Sequence, residues 1–184
     1  MKIFEDYYHD MIPRPDPLHQ IEVSFQVHPV TALLGPRQCG KTTLARLIAE
    51  RESTTFFDLE NPVDVRRLSA PMQALQDLTG LVIVDEVQRK PELFELLRVL
   101  VDRSGQNTRF LLLGSASPHL VKGVSESLAG RIGFVDLAGF QLWEVGGQHR
   151  DRLWIRGGLP RSFLADSESD SIQWRDNFIR TFLE

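Results

Sequence analysis

Only one cysteine, Cys39, occurs in the 184 residues. It cannot close a disulfide within the chain, and it fits a reducing compartment. Long apolar runs are also missing. None approaches the roughly 20 residues that span a bilayer, so no membrane segment is expected. The opening Met1-Lys2-Ile3-Phe4-Glu5-Asp6 turns acidic at once and does not read as a secretory signal. A cytoplasmic protein is the expectation. Excess positive charge is absent too. A net charge of -4 gives no support to a general nucleic-acid-coating role, although it leaves room for a local basic patch. His9, His19, His28, His119 and His149 show no metal-ligand spacing.

What is present is an ordinary soluble composition, 42% apolar and 25% charged. The length suits one α/β core with a short appendage. Residues 1–20 are polar and carry Pro13, Pro15 and Pro17, so they read as an irregular arm. Ile21 to Val27 fits a short helix or a strand equally well. Val30 to Leu34 is a compact apolar run closed by Gly35, which reads as a buried strand. Further strands are expected at Thr54–Phe57, Leu81–Val84, Phe110–Leu113 and Phe134–Leu137. Helices are expected at Thr42–Glu50 and at Glu92–Val101, the latter with Pro91 at its start. Buried strands alternating with helices predict a parallel sheet covered on both faces. Asp166 to Ser171 reads as a polar linker, followed by a helical face of Trp174, Phe178, Ile179, Phe182 and Leu183. That face stops mid-pattern, which predicts either that the polypeptide continues or that this end docks. The division expected is an arm over 1–20, a core over 21–145 and a helical extension over 146–184.

Gly35-Pro36-Arg37-Gln38-Cys39-Gly40-Lys41-Thr42 matches the phosphate-loop pattern G-x-x-x-x-G-K-[ST]. Its glycines let successive backbone N–H groups turn inward onto phosphate oxygens. The helix that follows adds its positive end. Lys41 is placed to bridge the β- and γ-phosphates, and the Thr42 hydroxyl to ligate Mg²⁺. Pro36 has no N–H and must sit where no phosphate bond is needed. A chance match has odds of roughly 1 in 150 from average residue usage. The strand before and the helix after the motif lower those odds further.

The strand Leu81-Val82-Ile83-Val84 ends in Asp85-Glu86. Asp85 would hold magnesium through its water shell. Glu86 is the candidate to take a proton from an attacking water, which favours hydrolysis over phosphate transfer to another substrate. A P-loop kinase is therefore the weaker alternative, and a non-catalytic nucleotide switch a second one. Ser115, after the strand Leu111-Leu112-Leu113-Gly114, is a candidate to touch the γ-phosphate or orient the water. Capping a helix after Ala116, a task Ser117 could share, is the competing role, and the two are compatible. Arg37 and Gln38 could reach a phosphate or lock the loop. Asn61-Pro62-Val63-Asp64 lacks the lysine of a guanine-reading motif and reads as a turn, so GTP is not favoured. Arg150, Arg152, Arg156 and Arg161 read as a solvated face sooner than as a partner site. Arg14 is a candidate for the adenine side.

Taken in order, Gly35 to Thr43-Leu44, Asp85-Glu86-Val87-Gln88 with Pro91, Gly114-Ser115, Ser127-Leu128-Ala129-Gly130-Arg131 and Gly157-Gly158-Leu159-Pro160 resemble a large prokaryotic family of AAA-type ATPases. That family is related to archaeal and signal-transducing clades. The resemblance covers residues 20–184. It implies a P-loop NTPase three-layer sandwich with a five-stranded parallel sheet in the order 5-1-4-3-2. It also implies ATP/ADP as ligand, Mg²⁺ as cofactor and hydrolysis to ADP and phosphate. Lys41, Thr42, Asp85 and Glu86 fall directly on matching positions. Arg131 falls on an Ala-Gly-Arg motif and is the candidate arginine finger or sensor, in cis or toward a neighbouring subunit. A surface arginine paired with a carboxylate is the alternative. Members usually carry a C-terminal domain, often nuclease-like in fold, which is missing here. A homo-oligomer and a DNA or protein partner reached through that domain follow as expectations. Cys39 stands where the family often has valine or another small residue.

Overall fold

The computed structural model describes residues 12–103, 107–115, 123–124 and 126–183. Helix α1 runs over Pro15–Val27 and leads into strand β1, Val30–Leu34. Then come α2 (Lys41–Ala49), β2 (Thr54–Asp58), α3 (Pro62–Arg67), α4 (Pro71–Leu75) and β3 (Gly80–Asp85). A 3₁₀ turn at Val87–Arg89, α5 (Leu93–Val101), β4 (Thr108–Gly114) and β5 (Ile132–Asp136) complete the larger part.

The five strands form one parallel sheet in the order β2-β3-β4-β1-β5, the order that the resemblance implies. Registry follows from burial. Val30 lies opposite Phe110, and Phe110 opposite Val82, so these residues share one face. They join Ala32, Val84, Leu112 and the α5 residues Leu93, Leu97 and Leu100 in one apolar cluster. The alternate residues Leu33, Leu81, Ile83, Leu111 and Leu113 are buried as well. Strands apolar on both faces can only be central ones, covered by helices on each side. Helix α2, with Leu44, Ala45 and Ile48 buried, contacts β3 and β4.

Several segments differ from the sequence expectation. The arm is helical from Pro15, because a proline in the first turn of a helix sits where its missing N–H has no partner to lose. Residues 1–11 of that arm lie outside the described residues. Asn61-Pro62 opens α3, with the Asn61 side chain accepting from Val63 N at 3.0 Å. The last strand starts two residues earlier than expected, at Ile132 opposite Val30. The stretch read as a linker caps a helix: Ser167 Oγ accepts from Asp170 N at 3.1 Å.

Two compact units divide the chain, one over Asp16–Leu137 and the other formed by residues up to Pro15 together with those from Ala138 on. The second unit holds α6 (Leu142–Val145), a 3₁₀ turn (Gly147–His149), α7 (Arg150–Arg156), α8 (Pro160–Phe163) and α9 (Glu168–Leu183). Phe140, Val145 and Phe163 form its core with Ile12 and Leu153. Arg14 is buried there. It donates to Glu144 Oε1 at 2.7 Å and Oε2 at 3.1 Å, and to the carbonyls of Ala138 and Gly139. These bonds engage its guanidinium within the smaller unit. The basic stretch is not one solvated face. Arg156 is buried against Glu168 at 2.9 Å, and Arg152 stacks over Phe163.

Candidate functional site

The loop between β1 and α2 is shaped by two left-handed residues, Gln38 (φ 62) and Gly40 (φ 100). Alternating hands of this kind turn backbone N–H groups to one side. Gly35 is confined for another reason. A Cβ there would stand 2.1 Å from the Leu137 carbonyl oxygen and 2.9 Å from Cys39 Sγ. The loop thus passes directly over the end of β5, and only glycine fits the first position. Pro36, Arg37 and Gln38 face solvent, as does Thr43 on α2, while Cys39 is fully buried.

Lys41 begins α2 and is buried, with 6% of its surface exposed. Its Nζ donates to Gly35 O and Pro36 O, each at 2.9 Å. Thr42 follows, and its Oγ1 donates to Asp85 Oδ2 at 2.7 Å. The backbone N–H of Glu86 donates to Asp85 Oδ1 at 2.9 Å. Burial pushes the Asp85 carboxyl above its ordinary value. The Thr42 and Glu86 hydrogen bonds oppose that shift, while the Asp58 carboxylate adds to it. Asp58 ends β2 directly opposite Asp85. Its position follows from two parallel strands that both end in aspartate, a signal present in the sequence but not given a role there.

Glu86 is half-buried and left-handed, with φ 56 and ψ 41. Its carboxylate accepts a hydrogen bond from Gln88 Nε2. Ser115 stands at the same end of the sheet, because Gly114 pairs with Leu34 and its carbonyl accepts from Gly35 N at 3.3 Å. The competing capping role for Ser115 concerns residues after Ala116 that lie outside the described ones.

Arg131 is placed differently. Its carbonyl accepts from Val30 N at 3.2 Å, at the edge where the strands start. The phosphate loop lies where β1 ends, five residues on, about 15 Å at the usual strand rise. The guanidinium is held by Asp102 at 2.6 and 2.8 Å and by Ala129 O at 3.0 Å. Arg131 thus pairs with a carboxylate at the surface, at the end of the sheet away from the phosphate loop.

A parallel sheet in this strand order, with a glycine-bent loop ahead of Lys41-Thr42 and a strand-ending Asp85 against Thr42, defines a nucleotide-binding P-loop NTPase domain. The chain belongs to the AAA domain family, whose model matches residues 27–146, more than half of the chain. Two relatives carry the name uncharacterized protein, one from Mycobacterium bovis and one from Mycobacterium tuberculosis. Each is 53% identical over 174 residues, covering 95% of this chain and 40% of the relative. The chain therefore spans 40% of the length of these curated relatives. An ABC transporter ATP-binding protein of Bacillus subtilis is 28% identical over 163 residues, covering 84% of this chain and 59% of its own length. Among solved structures, a Walker-type ATPase of Pyrococcus abyssi superposes with a TM-score of 0.66 at 17% identity. That match covers 95% of this chain and 74% of the other, and it bears on the fold alone.

Proposed function

We propose that this domain binds ATP with Mg²⁺ and hydrolyses it to ADP and phosphate. The observation that carries the reading is the Thr42–Asp85 hydrogen bond at 2.7 Å, where the phosphate loop meets the end of β3. Magnesium is a hard ion that keeps several waters and takes one or two protein oxygens beside phosphate oxygens. A hydroxyl and a carboxylate side by side fit that demand, Thr42 directly and Asp85 through water. The bound ion would neutralise charge on the β- and γ-phosphates. The loop from Gly35 to Thr43 wraps the phosphates, with N–H groups supplied from Arg37 onward, and Lys41 exchanges its contacts with Gly35 O and Pro36 O for phosphate oxygens. Glu86 takes the proton of the attacking water. Ser115 adds a hydroxyl at the same end of the sheet.

The test is Glu86→Gln. Phosphate release should vanish while ATP binding, followed with a fluorescent analogue, survives. Turnover retained in that variant would reassign the base.

A second reading, a nucleotide-dependent switch with little turnover of its own, draws on Arg131. Its pairing with Asp102 leaves any finger role to act toward a neighbouring subunit. Hydrolysis that rises with protein concentration would support a homo-oligomeric enzyme, and concentration-independent binding without turnover the switch. Coupling to DNA or to a protein would run through chain of the kind that the mycobacterial relatives carry beyond the matched 40%. ATP hydrolysis with and without added DNA tests that coupling.

A further inference from the structure

We infer that Gln88 is a positioning residue that holds the Glu86 carboxylate in its working orientation; this rests on the reading of Glu86 as the base. The backbone here is fixed. Glu86 and Gln38 are the non-glycine residues with positive φ among the described ones. A left-handed glutamate persists only where its surroundings enforce the conformation. The enforcing element is the 3₁₀ turn Val87–Arg89. Val87 is 1% exposed and sits in the main apolar cluster. Arg89 N donates to Glu86 O, and Lys90 N to Val87 O, each at 3.0 Å. The two side chains therefore start from a rigid base, two residues apart.

Across that base Gln88 Nε2 donates to Glu86 Oε2. The other end of the same amide, Gln88 Oε1, is buried and has no hydrogen-bond donor among the described residues. A buried acceptor without a donor weakens the fold. Methionine or leucine would fill similar space without that penalty. Turning the amide over would set its oxygen against the carboxylate, so a single orientation is compatible with Glu86. Among the described residues the polar partner of the Gln88 amide is the Glu86 carboxylate, so that contact is what the amide supplies beyond apolar packing. Its effect is orientational. A glutamate side chain has three free torsions, and restricting them keeps the base within reach of the water.

The opposite sense of the same contact, a restraint that keeps the base idle, predicts a faster variant. Gln88→Met and Gln88→Glu in the full chain separate the two. Hydrolysis is followed in single turnover, with protein in excess over ATP, so that slow rates are measurable. In Gln88→Met the maximal rate should fall on the order of 10-fold or more, within the about 10²–10⁴ that a positioned base contributes. The ATP concentration giving half-maximal rate should stay unchanged, as should affinity for fluorescent ADP, and the melting temperature should not fall. Gln88→Glu, nearly isosteric but without the donor, should lose at least as much. An unchanged or increased maximal rate, or a loss that only tracks a lowered melting temperature, overturns the inference. Full activity of Glu86→Gln, or no hydrolysis by the parent chain, instead overturns the underlying reading and takes this inference with it.

Discussion

Thr42 Oγ1 donates to Asp85 Oδ2 at 2.7 Å and so ties the first turn of α2 to the end of β3. The carboxylate at the far end of this bond is 4% exposed, and burial raises its pKa above the ordinary value of 3.8. A carboxyl raised in the folded state binds more protons there than in the unfolded chain. Ionising it therefore weakens the fold as pH climbs from the unfolded pKa through the raised one. At neutral pH the nucleotide-free protein carries that cost. Asp85→Asn keeps the shape, accepts from Glu86 N and can donate to Thr42. It should raise the melting temperature at pH 7.5 by roughly 2–4 °C, the shift that about 1 kcal/mol gives a chain of this size. The advantage should shrink as pH falls toward the ordinary carboxyl range. Magnesium-dependent nucleotide binding should be lost in the same variant. Thermal scans at several pH values check both the sign and the window.

Glycine positions in the phosphate loop separate two kinds of constraint. At Gly35 a Cβ meets the Leu137 backbone oxygen at 2.1 Å. At Gly40 a Cβ meets nothing within 4 Å, but φ is 100°. Gly40→Ala should therefore cost about 1–2 kcal/mol, the usual left-handed penalty. Gly35→Ala should cost more, because backbone cannot move aside as a side chain can, and overpacking alone costs about 1–3 kcal/mol. Urea unfolding of the two variants ranks them. Equal losses would show that the Leu137 contact relaxes.

The central strands were legible because each is a short apolar run closed by glycine or aspartate. The phosphate loop and Asp85-Glu86 were legible because the chemistry demands fixed residues at fixed spacing. Sheet order came only with the resemblance, since spacing along the chain does not say which strand β1 pairs with. Helix α1 was hidden because Pro13, Pro15 and Pro17 signal irregularity by composition, whereas at the first turn of a helix proline is harmless. The Gln88–Glu86 contact was hidden for a different reason. It depends on a left-handed glutamate, which no local preference announces. The place of Arg131 could not be read from its motif. The residue matches a pattern, yet the start of β5 fixes it at the opposite end of the sheet.

Cys39 lies in the phosphate loop, but its surface is fully covered. Reaction with a thiol reagent then requires local opening, which lowers the rate by the opening equilibrium. The native protein should release almost no chromophore from a disulfide reagent within minutes, and one equivalent after denaturation. Fluorescent ATP binding should be unaffected by that brief exposure. Rapid stoichiometric labelling of the native chain, with loss of binding, would mean that the loop opens far more readily than its packing implies.

In the smaller unit, Arg14 and Glu144 form an ion pair with 8% and 2% of their side-chain surfaces exposed. Glu144 Oε2 also accepts from Gln141 N at 2.8 Å, closing the capping box of α6. Removing one partner leaves a buried charge alone, a loss of about 3–5 kcal/mol where it has been measured. Arg14→Met should approach that loss, because it also strips donors from Ala138 O and Gly139 O. Adding Glu144→Gln should recover part of it. A neutral amide needs no counter-charge, and its oxygen still caps Gln141 N. The double variant should then unfold at a higher urea concentration than Arg14→Met alone. Simple addition of the two losses would show that the pair is not coupled, and that Arg14 acts through the carbonyls alone.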